Sequence, residues 1–158
     1  MKKKVLISAC LLGKHCRYNG GHSHQKELDI FDVDWIPVCP EEAGNLGTPR
    51  PVAEMQASAE DILNGRGSII TNSGRDVTKK IIDGAKKSLI KGISSGVEYA
   101  ILKSRSPSCG NGKVYDGTFS HSLKDGNGIF AHLCSRSGIN CISADEPNKI
   151  KKTLKKLK

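Results

Sequence analysis

Aromatic side chains are the scarcest material in this chain. Its 158 residues include one Trp, three Tyr and three Phe, so any core must be built from aliphatic side chains. Long apolar runs are missing too. No stretch approaches the ~20 apolar residues that cross a bilayer. Lys2, Lys3 and Lys4 are followed by only a short apolar run, which does not make a secretory signal. The expected compartment is therefore the cytoplasm, with no membrane partner. Gly126-Asn127-Gly128 precedes a predicted helix, yet no Gly-Lys-Ser/Thr follows it, so it is not a P-loop. It also lacks the third glycine of a dinucleotide fingerprint. It reads as a turn and helix start, with room for a substrate carbonyl at the free backbone donors. Internal repeats, low-complexity tracts and dividing linkers are absent, and the length suits one domain with a real core.

The charge is concentrated at the ends. The formal net charge is +9, from 25 basic and 16 acidic residues. Nine lysines lie in the two tails: Lys2, Lys3, Lys4, Lys149, Lys151, Lys152, Lys155, Lys156 and Lys158. That leaves 16 basic residues against 16 acidic ones between residues 5 and 148. Basic tails can hold RNA loosely. The plainer reading is a pair of solvated ends, and a nucleic-acid partner is not expected.

Cysteine is present in quantity. Six cysteines in a reducing compartment point to metal binding or catalysis before disulfides. Three of them follow the same kind of segment. Val5 to Ile7, Trp35 to Val38 and Tyr99 to Leu102 are short apolar runs that read as buried strands. Cys10, Cys39 and Cys109 stand at or past their carboxyl ends. In a parallel sheet all three thiols share one rim, where open α/β folds place their ligands. Any single one is more often an inert core thiol. Three at one structural position are harder to assign to packing.

Strands alternate with helical patterns, which indicates parallel β-α units. The expected architecture is a single three-layer, Rossmann-like α/β domain with a mostly parallel sheet. Residues 1–148 form that domain and residues 149–158 the basic end of a C-terminal helix. Strands are expected at about 4–9, 35–39, 68–71, 99–103 and 139–143. Helices are expected at 25–31, 59–63, from Asp76 towards Gly96, from Gly128 to Ser137, and over 146–157. On the longest, Val77, Ile81, Ile82, Ala85, Leu89, Ile90 and Ile93 share one face and are expected to be buried. Residues 39–51 carry too much Pro and Gly for regular structure.

Other residues have two readings. Glu41 and Glu42 follow Cys39, where a carboxylate can deprotonate water, although glutamates are usually surface residues. Cys134 and Cys141 read as core. Cys16 lies in an exposed-looking loop six residues after Cys10; Cys10, Cys16, His22 and His24 offer a tetrahedral metal set, but their spacing does not match common structural zinc patterns.

Several segments together resemble one family. They are Ser8-Ala9-Cys10-Leu11-Leu12-Gly13, Cys16-Arg17-Tyr18-Asn19-Gly20, Cys39-Pro40-Glu41, Thr48-Pro49-Arg50, Gly74-Arg75-Asp76-Val77-Thr78, the run from Leu102 to Gly110, and Tyr115-Asp116-Gly117-Thr118-Phe119. In this order they resemble the 2-thiouracil desulfurase family, over about residues 5 to 146. The resemblance implies a [4Fe-4S] cluster held by Cys10, Cys39 and Cys109, with one iron free of protein ligand. It implies a thiolated pyrimidine such as 2-thiouracil as substrate, its sulfur bound at that iron and replaced by water without net redox. Glu41 and a serine, Ser106 or Ser108, would assist the water, Ser106 being favoured. Cluster-assembly machinery is the implied macromolecular partner. Asn19, Asn45 and Gly47 depart from the family's usual residues, in loops that bear on substrate identity. Two other classes stay open beside this one: a non-enzymatic zinc or iron module, and an RNA-associated protein held by its lysine tails.

Overall fold

The computed structural model describes residues 1–157. Its centre is a sheet of four strands in the order β2-β1-β5-β8, every neighbouring pair parallel. These are β1 (Lys4–Ser8), β2 (Asp34–Val38), β5 (Tyr99–Leu102) and β8 (Asn140–Ser143). Two antiparallel hairpins stand outside it. One pairs β3 (Ala53–Met55) with β4 (Ile69–Thr71), the other β6 (Lys113–Tyr115) with β7 (Leu123–Asp125). Sequence reading found the central strands and β4. It missed β3, β6 and β7, which are as short as β4 but lack the adjacent apolar pair, Ile69 and Ile70, that marked it.

Alternation along the central strands builds two apolar layers. Leu6, Ala100 and Leu102 face one side, where they meet α3 (Thr78–Ser95) and α4 (Ile129–Arg136). Val5, Ile7, Ile101 and Ile142 face the other, where Leu11, Leu28, and Ile150 and Leu154 of α5 (Pro147–Lys155) cover them. Both faces are thus closed, as a parallel sheet requires, and the three-layer α/β expectation holds. The basic stretch from Lys149 onward enters this second layer, since Ile150 and Leu154 are almost fully buried.

Three local expectations are corrected. Pro40–Ala43 forms one helical turn, α1, inside the stretch read as irregular. Pro at the first helical position and acidic residues in the first turn favour that start. Gln25 to Phe31 forms a 3-10 turn, Lys26–Ile30. The buried stripe of α3 is also not the one that apolar spacing suggested. Ile90 and Ile93 are exposed, while Gly84, Ala85, Ser88 and Gly92 are buried with Ile81. The reason is backbone proximity. A Cβ on Gly84 would lie 1.7 Å from the Pro40 carbonyl oxygen, and one on Gly44 would lie 2.0 Å from the Lys80 carbonyl oxygen. Only glycine lets α1 lie this close to α3.

At the outer edge of the sheet, Pro37 of β2 has no N–H to give. Its carbonyl accepts a hydrogen bond from Lys91 Nζ on α3 at 2.8 Å. The remaining helix, α2 (Ala59–Leu63), is capped by Ser58, whose hydroxyl accepts the Asp61 N–H at 3.1 Å.

Candidate active site

Because β2, β1 and β5 are parallel neighbours, their carboxyl ends lie on one rim. A 3-10 turn, Ala9–Leu12, follows β1 directly and carries Cys10. Cys39 follows β2 and caps α1. Cys109 arrives from β5 through the serine-rich loop. All three line one cleft of about 630 Å³, together with Glu41, Arg50, Ser106 and Ser108. Cys10 and Cys109 are buried and Cys39 is half-buried. Among the described residues all six cysteines are free thiols.

A fourth thiol joins the rim. Cys16, read as an exposed loop residue, is only 2% exposed and touches both Cys10 and Cys39. The Cys39 thiol donates to the Cys16 carbonyl at 3.8 Å. Donor atoms of Cys16, Cys39 and Glu42 lie within 4.8 Å of one another, and those of His22 and His24 do not join them. The tetrahedral set Cys10, Cys16, His22 and His24 is therefore not assembled. His24 pairs instead with Asp29 at 3.1 Å. Proton affinities reflect the crowding. The Cys10 contact, with burial, pushes the Cys16 thiol up to about 11. Burial alone dominates at Cys109, which rises to about 12. Cys39 is pushed up further, by Cys16 first and then by burial. Metal binding has to displace these protons.

Glu41 is held at both carboxylate oxygens. Arg50 Nη2 donates to Oε2 at 2.5 Å, and Ser108 Oγ donates to Oε1 at 3.3 Å. The same guanidinium donates to the Cys16 carbonyl at 2.8 Å, which ties the carboxylate to the Cys16 loop. Both partners of this ion pair are well covered, with side chains 6% and 16% exposed. Ser106, the serine favoured from sequence, has other work. Its hydroxyl accepts the Cys109 N–H at 2.7 Å and lies 3.4 Å from Ser108 Oγ. Glu42 points to a different network, accepting from Thr48 at 2.6 Å and pairing with Lys14 at 3.2 Å; the Thr48 bond first, then Lys14, holds its carboxyl below the usual range.

The cysteine-bearing loop is pinned from below. Amides of Ile129, Phe130 and Ala131, at the start of α4, donate to the carbonyls of Pro107 and Ser108 at 2.8 to 3.1 Å. Gly128 lies so close that a Cβ would sit 2.5 Å from the Ser108 carbonyl oxygen. The free donors expected after Gly126-Asn127-Gly128 are thus occupied by the protein's own carbonyls, and no substrate carbonyl fits there.

Sequence reading gave no role to Arg50, Lys103 or Glu54. Arg50 was visible within Thr48-Pro49-Arg50, but nothing in the order of residues shows that the loop between α1 and β3 folds back onto Glu41. Lys103 lines the cleft half-buried, and burial, then nearby Arg17, lowers its proton affinity.

The sequence matches the profile of the 2-thiouracil desulfurase family over residues 5–146. The chain belongs to that family. It is 40% identical over 149 residues to the uncharacterised protein YbbK of Bacillus subtilis, across 92% of this chain and 99% of that one. It is similar in structure to the [4Fe-4S]-dependent thiouracil desulfidase TudS, with a TM-score of 0.85 and 36% identity over 98% of this chain and 99% of that one.

In this 2-thiouracil desulfurase fold, two cysteines stand away from the cleft. Cys134 on α4 is fully buried beside Cys141 on β8, whose thiol donates to the Ile139 carbonyl at 3.7 Å. The neighbouring Cys141 thiol, with burial, pushes the Cys134 thiol far above the usual range, and Cys134 pulls Cys141 down. Neither lines the cleft, and both are the packing residues that sequence suggested.

Proposed function

We propose that this protein is an iron–sulfur-dependent, non-redox desulfurase that removes sulfur from a thiolated nucleobase such as 2-thiouracil. The observation that carries the reading is the convergence of Cys10, Cys39 and Cys109 on a cleft whose carboxylate, Glu41, is clamped by Arg50 and Ser108. Family membership and the likeness to TudS support it.

The donor set suits a [4Fe-4S] cluster. Thiolates are the usual ligands, and three free thiols from three different strand ends surround one sheltered volume. Cys10, Cys39 and Cys109 would hold it. Bound there with three protein ligands, it supplies a soft Lewis-acidic iron suited to thiocarbonyl sulfur. The cell's cluster-assembly machinery is the partner that delivers it.

The chain's own groups handle the water. Exchange of C=S for C=O consumes one water and releases hydrogen sulfide. Glu41 Oε1 faces Ser108 and accepts the proton of the attacking water, while Arg50 keeps the carboxylate from turning away. Ser108 orients that water or the nascent oxygen, because its hydroxyl touches Glu41 and lies 3.9 Å from Cys109 Sγ. Ser106 serves one step back, holding the Cys109 amide and thus the loop. Lys103 adds positive charge to the cleft where sulfur departs as an anion.

A second reading, a single zinc or iron ion, is favoured by one feature: the close grouping of Cys16, Cys39 and Glu42. Anaerobic purification followed by metal and acid-labile sulfide analysis separates the two. Equal iron and sulfide, with uracil released from 2-thiouracil, is the expected result. Metal without sulfide overturns the cluster reading.

A further inference from the structure

Three of the seven Trp, Tyr and Phe residues of this chain lie at the cleft. Tyr18, Tyr115 and Phe119 line it, with His121. Tyr115 and His121 already meet edge-on, ring centroids 6.5 Å apart. Tyr18 is covered by the Arg17 guanidinium at 5.8 Å. Among the described residues Phe119 has no aromatic or cationic partner, and its ring is only half-buried.

Phe119 is also held at a cost. Its φ is +57°, a left-handed conformation that bulky side chains avoid. A half-buried ring recovers little of that cost through packing. The loop is nevertheless fixed from several sides. Glu54 on β3 is 5% exposed, and its Oε1 accepts the N–H of Gly117 at 3.0 Å and of Phe119 at 3.2 Å. Gln56 Nε2 donates to the Gly117 carbonyl at 3.1 Å. Asp116 Oδ1 accepts from the Thr118 amide at 3.0 Å. Gly117 lies so near β3 that a Cβ would sit 2.7 Å from the Met55 carbonyl oxygen. A buried carboxylate spent on two loop amides, to hold one half-buried ring in a strained pose at the cleft, points to a ligand for that ring.

We infer that Phe119 is the stacking platform for the planar ring of the substrate and that Glu54 positions it. The inference rests on the desulfurase reading and deepens it. Stacking is indifferent to ring substituents, whereas an open-chain thioamide offers no comparable face. Glu54 acts through its hold on the Gly117 and Phe119 amides.

The test compares 2-thiouracil with thiourea as substrates of the cluster-loaded protein, and measures uracil binding by calorimetry. Phe119→Asn deletes the ring while keeping a residue that tolerates the left-handed backbone. It is expected to raise KM for 2-thiouracil on the order of 10-fold or more, by the usual worth of base–aromatic stacking. The kcat, the thiourea kinetics, and the iron and sulfide content stay unchanged. Phe119→Tyr restores KM. Glu54→Gln reproduces the KM effect. An equal change for thiourea and 2-thiouracil, or no change for either, overturns the platform. A wild-type protein that holds its cluster yet frees sulfide from neither compound overturns the desulfurase reading instead. The calorimetry still decides Phe119 in that case: uracil binding lost in Phe119→Asn and kept in Phe119→Tyr supports the platform, and binding unchanged in both removes it.

Discussion

Cys10 and Cys134 are both buried, and both touch another thiol. Around Cys134 the neighbours are apolar side chains of α4 and the central sheet, and its one thiol partner closes the contact. Around Cys10 the structure opens into a cleft with two further strand-end thiols, a clamped carboxylate and two serines. The difference teaches that burial says little about the use of a cysteine. What separates them is topology: one thiol lies within a layer, the other at the carboxyl rim of parallel strands, where three chain segments end together.

The largest expected effect is on cofactor content. Cys10→Ala, Cys39→Ala and Cys109→Ala each abolish cluster incorporation, while Cys134→Ala and Cys141→Ala retain it, measured as iron and sulfide per chain after anaerobic reconstitution. A full complement in Cys39→Ala, or loss in Cys134→Ala, breaks the contrast between rim and layer. Next comes the acid side of the cleft. Glu41→Gln keeps the cluster and lowers single-turnover release of uracil by roughly two to four orders of magnitude, the usual range for a lost general base. Ser108→Ala lowers it less. Ser106→Ala acts through the Cys109 loop, so its deficit appears in cluster content as well as rate.

A smaller effect tests how the rim is braced. Gly84→Ala forces α1 and α3 apart and is expected to cost about 1–3 kcal/mol in chemical denaturation, as overpacked contacts do. Because Cys39 is the N-cap of α1 and Glu41 lies in its first turn, cluster retention should fall with it. Stability unchanged in Gly84→Ala would show that the two helices are not in obligatory contact. The smallest effect is expected from replacing Lys151, Lys152 and Lys155 of α5 by Gln. These residues are exposed and none of them lines the cleft, so turnover should not change measurably.

The rim was legible because its signal is local: an apolar run, then a cysteine, three times. The layers were legible for the same reason. What sequence hid depends on close approach between distant segments. Ile90 and Ile93 looked buried by their spacing, but the face used was set by Gly84 meeting Pro40, residues 44 positions apart in the chain. Cys16 looked exposed because its loop is polar, yet the loop folds back and Arg50 secures its carbonyl. The order of residues alone favours Ser106 over Ser108; which contacts each makes is visible only in the folded loop, where Ser108 reaches Glu41 and Ser106 reaches the Cys109 amide. Glu54 carries no motif, and only the folded hairpin shows what its carboxylate holds.

Pro37 has a consequence for how this molecule behaves among its own copies. A four-stranded parallel sheet has two open margins, and an open margin invites another chain to add a strand. One residue before the end of β2 the backbone has no hydrogen to offer at Pro37, and Lys91 already occupies the carbonyl. A visiting strand would find no partner there and would have to displace an ammonium group to come closer. In concentrated solution that margin resists the strand-by-strand growth that seeds aggregates.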